Sequence, residues 1–410
     1  MKKILIAFLS SAVLLAGFCG KAVSQQKDKD DEDETSWNGN HPGTWDAVIK
    51  DGQVNIQFYG RHWSNGRNFT ETELGALPTE KIGEFSLTRE SGKITFKGVF
   101  QDHFGHGTYK FEQNESFKSY LQQKGYKDLD DELMLAVFFT DISKSYFEFL
   151  KESGYAEVSN SQFKDLAEQN LSRKVLEDYF NLFKAEGYGR QSLERIVDLR
   201  EHGVTPKYIS SIHQLGYKGF SLDKAEELRD HGVSADYIMS IKKMGYADLT
   251  LDRAQELRDH GVSLDYINGL QKLGYTGINL EKAQDLRDHG VSVNYITSLQ
   301  KMGYKNISLD EAENLRDRGV SADYISGMQK LGYKDISLDK AADLRDHGVS
   351  PEFIRGFNDL GFKDISLDKA KELRDHGVSA SFIKRMQSKG MKVQTLDDYI
   401  KIRDTGFGND

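Results

Sequence analysis

Cysteine is almost absent from the sequence: Cys19 is the single one in 410 residues, and it lies at the end of an N-terminal apolar run. If that segment is removed, no thiol remains. The absence of thiols excludes a disulfide framework, a thiol nucleophile and a cysteine metal cluster. Beyond the N-terminus, no segment approaches the roughly 20 apolar residues that a membrane helix requires. We therefore expect no transmembrane helix in the mature chain.

Basic tracts and enzyme signatures are also missing. The formal net charge is −9, so the chain offers no counterion-releasing surface and we expect no nucleic-acid partner. There is no His-Glu-x-x-His, no phosphate-binding glycine loop and no Gly-x-Ser-x-Gly. The 64 acidic residues form no paired-carboxylate arrangement that stands out. The sequence thus favours a binding or spacing protein over an enzyme, and it indicates no cofactor.

Residues 1–24 have the pattern of a secretory signal peptide. Lys2 and Lys3 precede an apolar run over 4–15, and a small-residue pattern follows at Ala22 to Ser24. We expect cleavage after Ser24, which removes three lysines and changes the net charge from −9 to −12. The sequence thus predicts an exported protein, either periplasmic or extracellular.

An alternative is a lipoprotein anchored through Cys19. Lipid attachment needs a cysteine at the end of such an apolar run, but Phe18 stands where lipoprotein signals carry a small residue. Cleavage after Ser24 is therefore the preferred interpretation.

Two regions precede a long repeat region. Residues 25–42 are polar and acidic and predict a disordered leader. Residues 43–113 predict a small antiparallel β domain, because Asp51-Gly52 suits a tight hairpin turn between two alternating runs. We expect about five strands that form a sheet with one packed face and one solvent-exposed face. The expected strands lie around Ala47 to Ile49, Val54 to Tyr59, Glu84 to Arg89, Ile94 to Phe100 and Thr108 to Phe111.

Residues 114–410 contain two series of glycines with a spacing of 29 residues, which is the signature of a stacked repeat array. The two series lie at Gly203, Gly232, Gly261, Gly290, Gly319, Gly348, Gly377 and Gly406, and at Gly187, Gly216, Gly245, Gly274, Gly303, Gly332, Gly361 and Gly390. Gly125 and Gly154 extend the second series backwards, with a four-residue insertion before Gly187. Asp141 and Asn170 take the glycine position in the early repeats, where we expect a left-handed backbone. We count nine repeats and a terminal partial one.

Each repeat predicts two short helices. In residues 221–244, Ser221 caps a first helix that ends at Gly232, and Ser234 caps a second helix that Gly245 ends. Helices of about ten residues are unstable alone in water, so their stability has to come from stacking. The predicted fold is mainly α, an α-solenoid of short helix pairs preceded by a small antiparallel β domain.

One position on the second helix varies while its neighbours repeat, and it is the candidate partner-binding surface. The residue after each Tyr-Ile changes in size, polarity and charge, which predicts a solvent-facing position. The candidates are Met239, Asn268, Thr297, Ser326, Arg355 and Lys384. A solvent-exposed surface that binds nothing would explain this variation equally well.

Two other repeated features are better explained by structure than by ligand binding. Histidines such as His231 recur at first-helix ends, where they suit the helix dipole, and we expect Arg to Asp pairs between repeats. Successive histidines lie too far apart to share one metal ion. Tyrosines after the second glycine, such as Tyr217, predict staples between repeats rather than a sugar-stacking platform. No metal site is therefore expected in the repeats.

The β domain holds a weaker alternative site. Asp102 to Gly107 contains His103 and His106 beside a carboxylate in a glycine-rich loop, with Trp63 elsewhere in the same domain. Two histidines three apart are a weak metal signal, and the glycines indicate a hairpin loop.

The phrase Leu-Arg-Asp-His-Gly-Val-Ser, seen at Leu228 to Ser234, followed by Tyr-Ile and Leu-Gly-Tyr, resembles a repeat of bacterial extracytoplasmic proteins. In particular it is similar to the C-terminal region of membrane metallopeptidases of the penicillin-sensing antirepressor type. Phe85 to Arg89 and Phe96 to Gly98 resemble the region that precedes such repeats. The peptidase part is absent here, so the resemblance implies a sensory or interaction module without catalytic residues.

Three functions remain open at this stage. The first is an exported scaffold or sensory module that binds a protein or cell-envelope component through the solenoid. The second is a secreted hydrolase or carbohydrate-binding protein with its site in the β domain. The third is a structural spacer.

We predict that the exported protein begins at Gln25, because the small-residue pattern ends at Ser24. The intact mass of protein isolated from producing cells measures this directly. A mass that shows a diacylglyceryl group on Cys19 at the N-terminus would replace this assignment with the lipoprotein alternative.

Overall fold

The computed structural model describes residues 43–60, 63–391 and 393–406. The predicted signal peptide, Cys19 and the predicted acidic leader lie outside the described residues. The chain divides into two compact units, one ending at Ser143 and the other beginning at Lys144. Each unit is described by itself below.

The first unit contains one six-stranded antiparallel sheet. Its strands are β1 (Gly43–Lys50), β2 (Gln53–Tyr59), β3 (Ser64–Thr70), β4 (Gly83–Arg89), β5 (Gly92–Gln101) and β6 (Phe104–Gln113). The order across the sheet is β3-β2-β1-β6-β5-β4, so β1 and β6 lie at its centre. Asp51 and Gly52 both have a positive φ in the β1–β2 turn, as the sequence predicts. Buried and exposed residues alternate along the strands, which confirms one packed face.

The sheet has six strands where about five were expected, and the additional strand is β3. Its sequence is polar, and Phe69 is its one fully buried side chain. Pairing with β2 over the full length of β3, from Tyr59↔Ser64 to Gln53↔Thr70, holds the strand at the sheet edge. Backbone pairing therefore forms this strand where hydrophobic periodicity is too weak to predict it.

Helices α1 (Glu71–Leu74), α2 (Glu115–Gln123) and α3 (Asp131–Thr140) belong to the same unit as the sheet. Seven of the ten residues of α3 are buried. Phe139 lies 4.8 Å from Phe58 of β2, and Phe138 lies 5.4 Å from Phe111 of β6, measured between ring centroids. The compact unit therefore ends about thirty residues after the predicted boundary at residue 113, because α3 completes the core of the sheet.

The second unit is a series of short helices. These are α4 (Lys144–Glu152), α5 (Asn160–Glu168), α6 (Arg173–Glu186), α7 (Leu193–Glu201), α8 (Pro206–Gln214), α9 (Leu222–Asp230), α10 (Ala235–Lys243), α11 (Leu251–Asp259), α12 (Leu264–Lys272), α13 (Leu280–Asp288), α14 (Val293–Lys301), α15 (Leu309–Asp317), α16 (Ala322–Lys330), α17 (Leu338–Asp346), α18 (Pro351–Asn358), α19 (Leu367–Asp375), α20 (Ala380–Ser388) and α21 (Leu396–Asp404). From α3 to α20, nine first helices alternate with nine second helices along the described chain, followed by α21 alone. The mainly α, repeating solenoid-like architecture is as the sequence predicts.

The ends of these helices follow the predicted signals. The Ser221 hydroxyl accepts a hydrogen bond from the Lys224 amide, and the Ser234 hydroxyl accepts one from the Tyr237 amide. Pro206 is the first residue of α8, where its missing amide hydrogen costs nothing. Asp141 and Asn170 have φ of 58° and 53°, so both adopt the left-handed conformation expected at their positions.

The second helices α8 to α18 each have a glycine or serine near the middle, and at the glycines the next second helix approaches closely. A Cβ on Gly327 would lie 2.7 Å from Cγ of Pro351, the first residue of α18. A Cβ on Gly269 would lie 2.7 Å from Val293, and one on Gly356 would lie 2.9 Å from Ala380. Successive second helices are therefore packed too closely for a larger side chain at these glycines. No helix in the described ranges is long and apolar enough to span a bilayer.

We predict that Gly327→Val lowers the free energy of unfolding by about 1–3 kcal/mol, because overpacking forces the helices apart. Ser326→Val is the matched control, since it places the same β-branched residue one position away in the same helix. Urea unfolding followed by circular dichroism measures both. Equal loss of stability in the two variants would show that a larger side chain anywhere on this part of the helix is destabilising, and that the close packing at Gly327 is not the cause.

Candidate functional site

The candidate partner-binding residues lie on the second helices, one position after a fully buried isoleucine. Arg355 and Lys384 are exposed, whereas Met239, Asn268, Thr297 and Ser326 are half-buried. The prediction of a solvent-facing row is therefore correct for two members and needs correction for four. Beside Asn268 and Ser326 the following second helix approaches closely, since a Cβ on the next residue, Gly269 or Gly327, would lie 2.7 Å from it.

A second stripe on the same helices is more exposed than the candidate row. Residues seven apart share a helix face, and exposed residues lie at both positions. The stripe carries Asp236, Asp265, Asn294 and Asp323 near the helix starts and Lys243, Lys272, Lys301 and Lys330 near the ends. The residues of this stripe are similar from repeat to repeat, so variation along the sequence does not reveal it. An acidic start and a basic end also suit the helix dipole, which explains the repetition without a ligand.

The histidines at the ends of first helices pair with the next repeat. Nδ1 of His202 lies 2.7 Å from Asp230, and Nδ1 of His260 lies 2.6 Å from Asp288. Where Arg318 replaces histidine, its guanidinium bonds Asp346 in the same way. His347 departs from the pattern, since its Nδ1 lies 2.8 Å from the Asp343 carbonyl oxygen of its own helix. The expected pairing between repeats exists, but histidine rather than arginine usually forms it.

The arginine of the same phrase packs on an aromatic ring instead. The guanidinium carbon of Arg229 lies 4.9 Å from the centroid of Tyr208 in the preceding repeat. The arrangement recurs for Arg258 on Tyr237, Arg287 on Tyr266, Arg316 on Tyr295, Arg345 on Tyr324, Arg374 on Phe353 and Arg403 on Phe382. Each cation–π contact contributes on the order of 1 kcal/mol. This contact is the correction to the expected Arg to Asp pairs.

The same tyrosines also bond the next repeat through their hydroxyls. Tyr208 donates to the Val233 carbonyl at 2.9 Å, and Tyr266 donates to the Val291 carbonyl at 2.8 Å. Burial raises the pKa of both tyrosines to about 12, and the neighbouring arginine only partly offsets this. The hydroxyls therefore remain protonated donors throughout the physiological pH range.

The tyrosines that follow the second glycine form a second bridge. Tyr304 donates to the Ile336 carbonyl at 2.7 Å, and Tyr275 donates to the Ile307 carbonyl at 2.5 Å. These rings are half-buried between repeats. Their placement agrees with the staple interpretation and adds a hydrogen bond that the sequence analysis did not include.

Lysine and aspartate side chains link the starts of successive first helices. Nζ of Lys224 lies 2.6 Å from Asp252, and Nζ of Lys340 lies 2.5 Å from Asp368. These aspartates are 85% and 88% exposed, so water and salt screen the pairs and each adds little stability.

Within the described chain, two clusters hold one histidine and two carboxylates whose ligand atoms lie within 4.8 Å of one another. One comprises Asp198, His202 and Glu226, and the other comprises His289, Glu313 and Asp317. A guanidinium nitrogen of Arg195 lies 2.6 Å from Glu226 and also bonds Asp198. Nζ of Lys282 lies 2.6 Å from Glu313. Arg195 and Lys282 thus pair with three of the four carboxylates and Asp317 bonds the His289 imidazole, so the geometry fits ion pairing better than metal binding.

The residues of the alternative site in the β domain do not come together. His103 is exposed in the β5–β6 turn, and its carbonyl accepts a hydrogen bond from the Ile49 amide at 2.8 Å. Trp63 precedes β3. Strand pairing places the first residue of β3, Ser64, at the level of Thr44, which is at the opposite end of β1 from Ile49. Trp63 and His103 are therefore separated along the sheet by about six residues of strand, or roughly 20 Å. His106 is exposed on β6 opposite Asp46, two residues from the Trp63 end of β1.

No protein-family model, curated protein or solved structure matches this chain. The geometry therefore has to be interpreted from the residues themselves.

We predict that the second unit is more stable at pH 6 than at pH 8. Hydrogen bonds to Asp230, Asp317 and Asp404 raise the pKa of His202, His289 and His376 respectively. A raised folded-state pKa contributes stability that is complete below the unfolded value of about 6.5 and is lost as pH rises through the folded value. The melting temperature by circular dichroism should therefore fall between pH 6 and pH 8.

The control replaces His202, His289 and His376 by arginine, the residue that Arg318 already places at this position. Arginine stays charged across the range, so the fall in melting temperature between pH 6 and pH 8 should shrink. An unchanged difference would mean that these three pairs do not cause the pH dependence.

Proposed function

We propose that this chain is an exported, non-catalytic repeat protein that binds a protein or cell-envelope partner through the second-helix surface of its solenoid. The surface consists of the candidate row at Met239, Asn268, Thr297, Ser326, Arg355 and Lys384, together with the adjoining Asp/Lys stripe. The repeats join through other positions on both helices, among them the Arg–aromatic contact between a first helix and the preceding second helix, so these positions are left for recognition.

The observation that carries the proposal is the contrast between fixed and variable positions. The Arg–aromatic, Tyr–carbonyl and His–Asp contacts use the same positions in successive repeats. The candidate row does not hold the repeats together and carries a thioether, an amide, two hydroxyls, a guanidinium and an amine. Repeat proteins whose structural positions stay the same while one row of surface positions varies commonly bind their partners along that row.

The resemblance of the repeat phrase to extracytoplasmic regions of bacterial sensor proteins supports the same role. Those regions lie outside the membrane, which fits the predicted signal peptide. The resemblance does not identify a ligand.

The β-domain alternative has less support. A hydrolase or carbohydrate site needs its groups within reach of one substrate, and Trp63 lies roughly 20 Å from His103. The spacer alternative makes the same structural demands as the proposal, so only a binding experiment separates them.

The test is site-specific photocrosslinking in the cells that produce the protein. A benzophenone amino acid is placed singly at Arg355 and at Lys384, which are exposed in the candidate row, and at Asp339, which is exposed on first helix α17. We expect Arg355 and Lys384 to give one and the same crosslinked species, and Asp339 to give none.

A fourth position, Phe104 in the β domain, is 66% exposed and probes the alternative. Crosslinks from Phe104 alone would move recognition to the β domain. The absence of a discrete species at every position would favour the spacer.

A further inference from the structure

The repeat that contains α6 differs from the others. This helix has 14 residues, whereas the other second helices have eight or nine. Four extra residues correspond to about one helical turn, so the insertion lengthens the helix without changing the face that it buries. The extra residues lie before Tyr179, and in the half of the helix beyond them Phe180, Phe183 and Lys184 lie next to the loop that follows α4 and the loop that follows α6.

These elements enclose a cleft of about 390 Å³, within the second unit. Its lining includes Ser153, Tyr155, Phe180, Phe183, Lys184 and Arg190. The volume lies in the range of small-molecule sites, which are mostly apolar with a few placed polar groups. No acidic side chain lines it, although the whole chain carries a net charge of −9.

The apolar wall is a stack of aromatic rings. Tyr155 and Phe180 have centroids 5.5 Å apart and an interplanar angle of 19°, and Phe149 continues the stack 5.9 Å from Phe180. The Tyr155 hydroxyl donates to the Gln191 carbonyl at 2.6 Å, which fixes the ring. Such a wall favours a planar apolar partner, because flat rings pack with little loss of conformational freedom.

Two cations border this wall. The guanidinium carbon of Arg190 lies 5.1 Å from the Tyr155 centroid. A Cβ on Gly154 would collide with the Arg190 guanidinium, whereas Gly216 and Gly245 at the equivalent position have open space. The path of Arg190 across Gly154 is thus particular to this repeat.

Neither Lys184 nor Arg190 forms an ion pair with a carboxylate in the described part of the chain. Elsewhere in the array, Lys224, Lys340 and Lys369 bond carboxylates at 2.5 to 2.6 Å. Two unpaired positive charges beside an apolar cleft leave charge-assisted hydrogen-bond donors available to a ligand.

We propose that this cleft is a binding site for a small planar anion, whose aromatic body packs against Tyr155 and Phe180 while its acidic group bonds Lys184 and Arg190. The acidic group is a carboxylate or a phosphate, since both accept from lysine and arginine. The site is separate from the second-helix surface, so it does not depend on the proposed function.

The test is isothermal titration of the full mature protein with 1-naphthoate, and in a parallel arm with 1-naphthyl phosphate. For ligands of about a dozen non-hydrogen atoms, we expect a dissociation constant in the range of about 10 µM to 1 mM for at least one of the two anions. The neutral analogue 1-naphthalenemethanol should bind at least about fivefold more weakly, because it lacks the charged hydrogen bonds.

The double variant Lys184→Gln/Arg190→Gln should weaken binding of the anion at least about fivefold. Lys242→Gln is the matched control, since Lys242 also lies over a tyrosine, Tyr217 at 4.9 Å, but outside this cleft. Circular dichroism should show that both variants fold normally, because neither replaced side chain of the double variant is buried.

Saturable binding that the double variant weakens and the control leaves unchanged supports the site. Binding that the double variant leaves unchanged, binding of the neutral analogue equal to that of the anion, or no saturable binding of either anion would each overturn the proposal.

Discussion

The array depends on one contact between repeats, the arginine of one first helix lying flat on the aromatic ring of the preceding second helix. The ring simultaneously donates its hydroxyl to a backbone carbonyl of the same arginine-bearing repeat, as Tyr208 does to Val233. A single tyrosine therefore fixes both the helix and the turn that follow it. Where phenylalanine replaces tyrosine, at Phe353 and Phe382, the hydroxyl is lost but the guanidinium remains at 5.2 Å. The cation–π contact is therefore present in every one of these repeats, whereas the tyrosine hydrogen bond is not.

An arginine also acts at a helix end in the first unit, with a different geometry. Arg89 at the end of β4 donates to the carbonyls of Phe138 and Phe139, at 2.5 and 2.9 Å, where α3 terminates. Burial lowers the pKa of Arg89, while Asp141 and Glu73 oppose that shift. The two units therefore each use a guanidinium at a helix terminus, but only the array repeats the arrangement.

Much of the fold follows from local signals in the sequence. Capping serines, prolines at first helical positions and a spacing of 29 residues predict the helix pairs and their number, and Asp141 and Asn170 were placed in the left-handed region from alignment alone. The strand β3 was not predictable in this way, because its polar residues pair through the backbone. The apolar run of α3 was a usable signal that was overlooked: a helix that is apolar all round has to be buried on several sides.

The candidate surface was only partly predictable for a related reason. Variation along one sequence identifies positions free of a shared structural role, but exposure depends on how closely the next repeat approaches. Beside Asn268, for example, Val293 of the next second helix lies close to Gly269. The exposure of Asn268 therefore depends on a residue outside α12. The cleft beside α6 was equally hidden, since its lining residues come from three separate segments of the sequence.

The bridging contacts have a consequence for how such a chain changes over evolutionary time. The two kinds of tyrosine contact join residues 25 and 32 positions apart, and the histidine contacts join residues 28 positions apart, all close to one period of 29. Deleting or duplicating a whole period rejoins equivalent neighbours, so unequal recombination within the gene yields a shorter or longer array with every bridge intact. The four-residue insertion in α6 is absorbed as about one helical turn, and the tyrosine bridges from Tyr146 and Tyr179 keep their spacing of 25 residues. Gene copies of this design can therefore differ in repeat number far more readily than in repeat length.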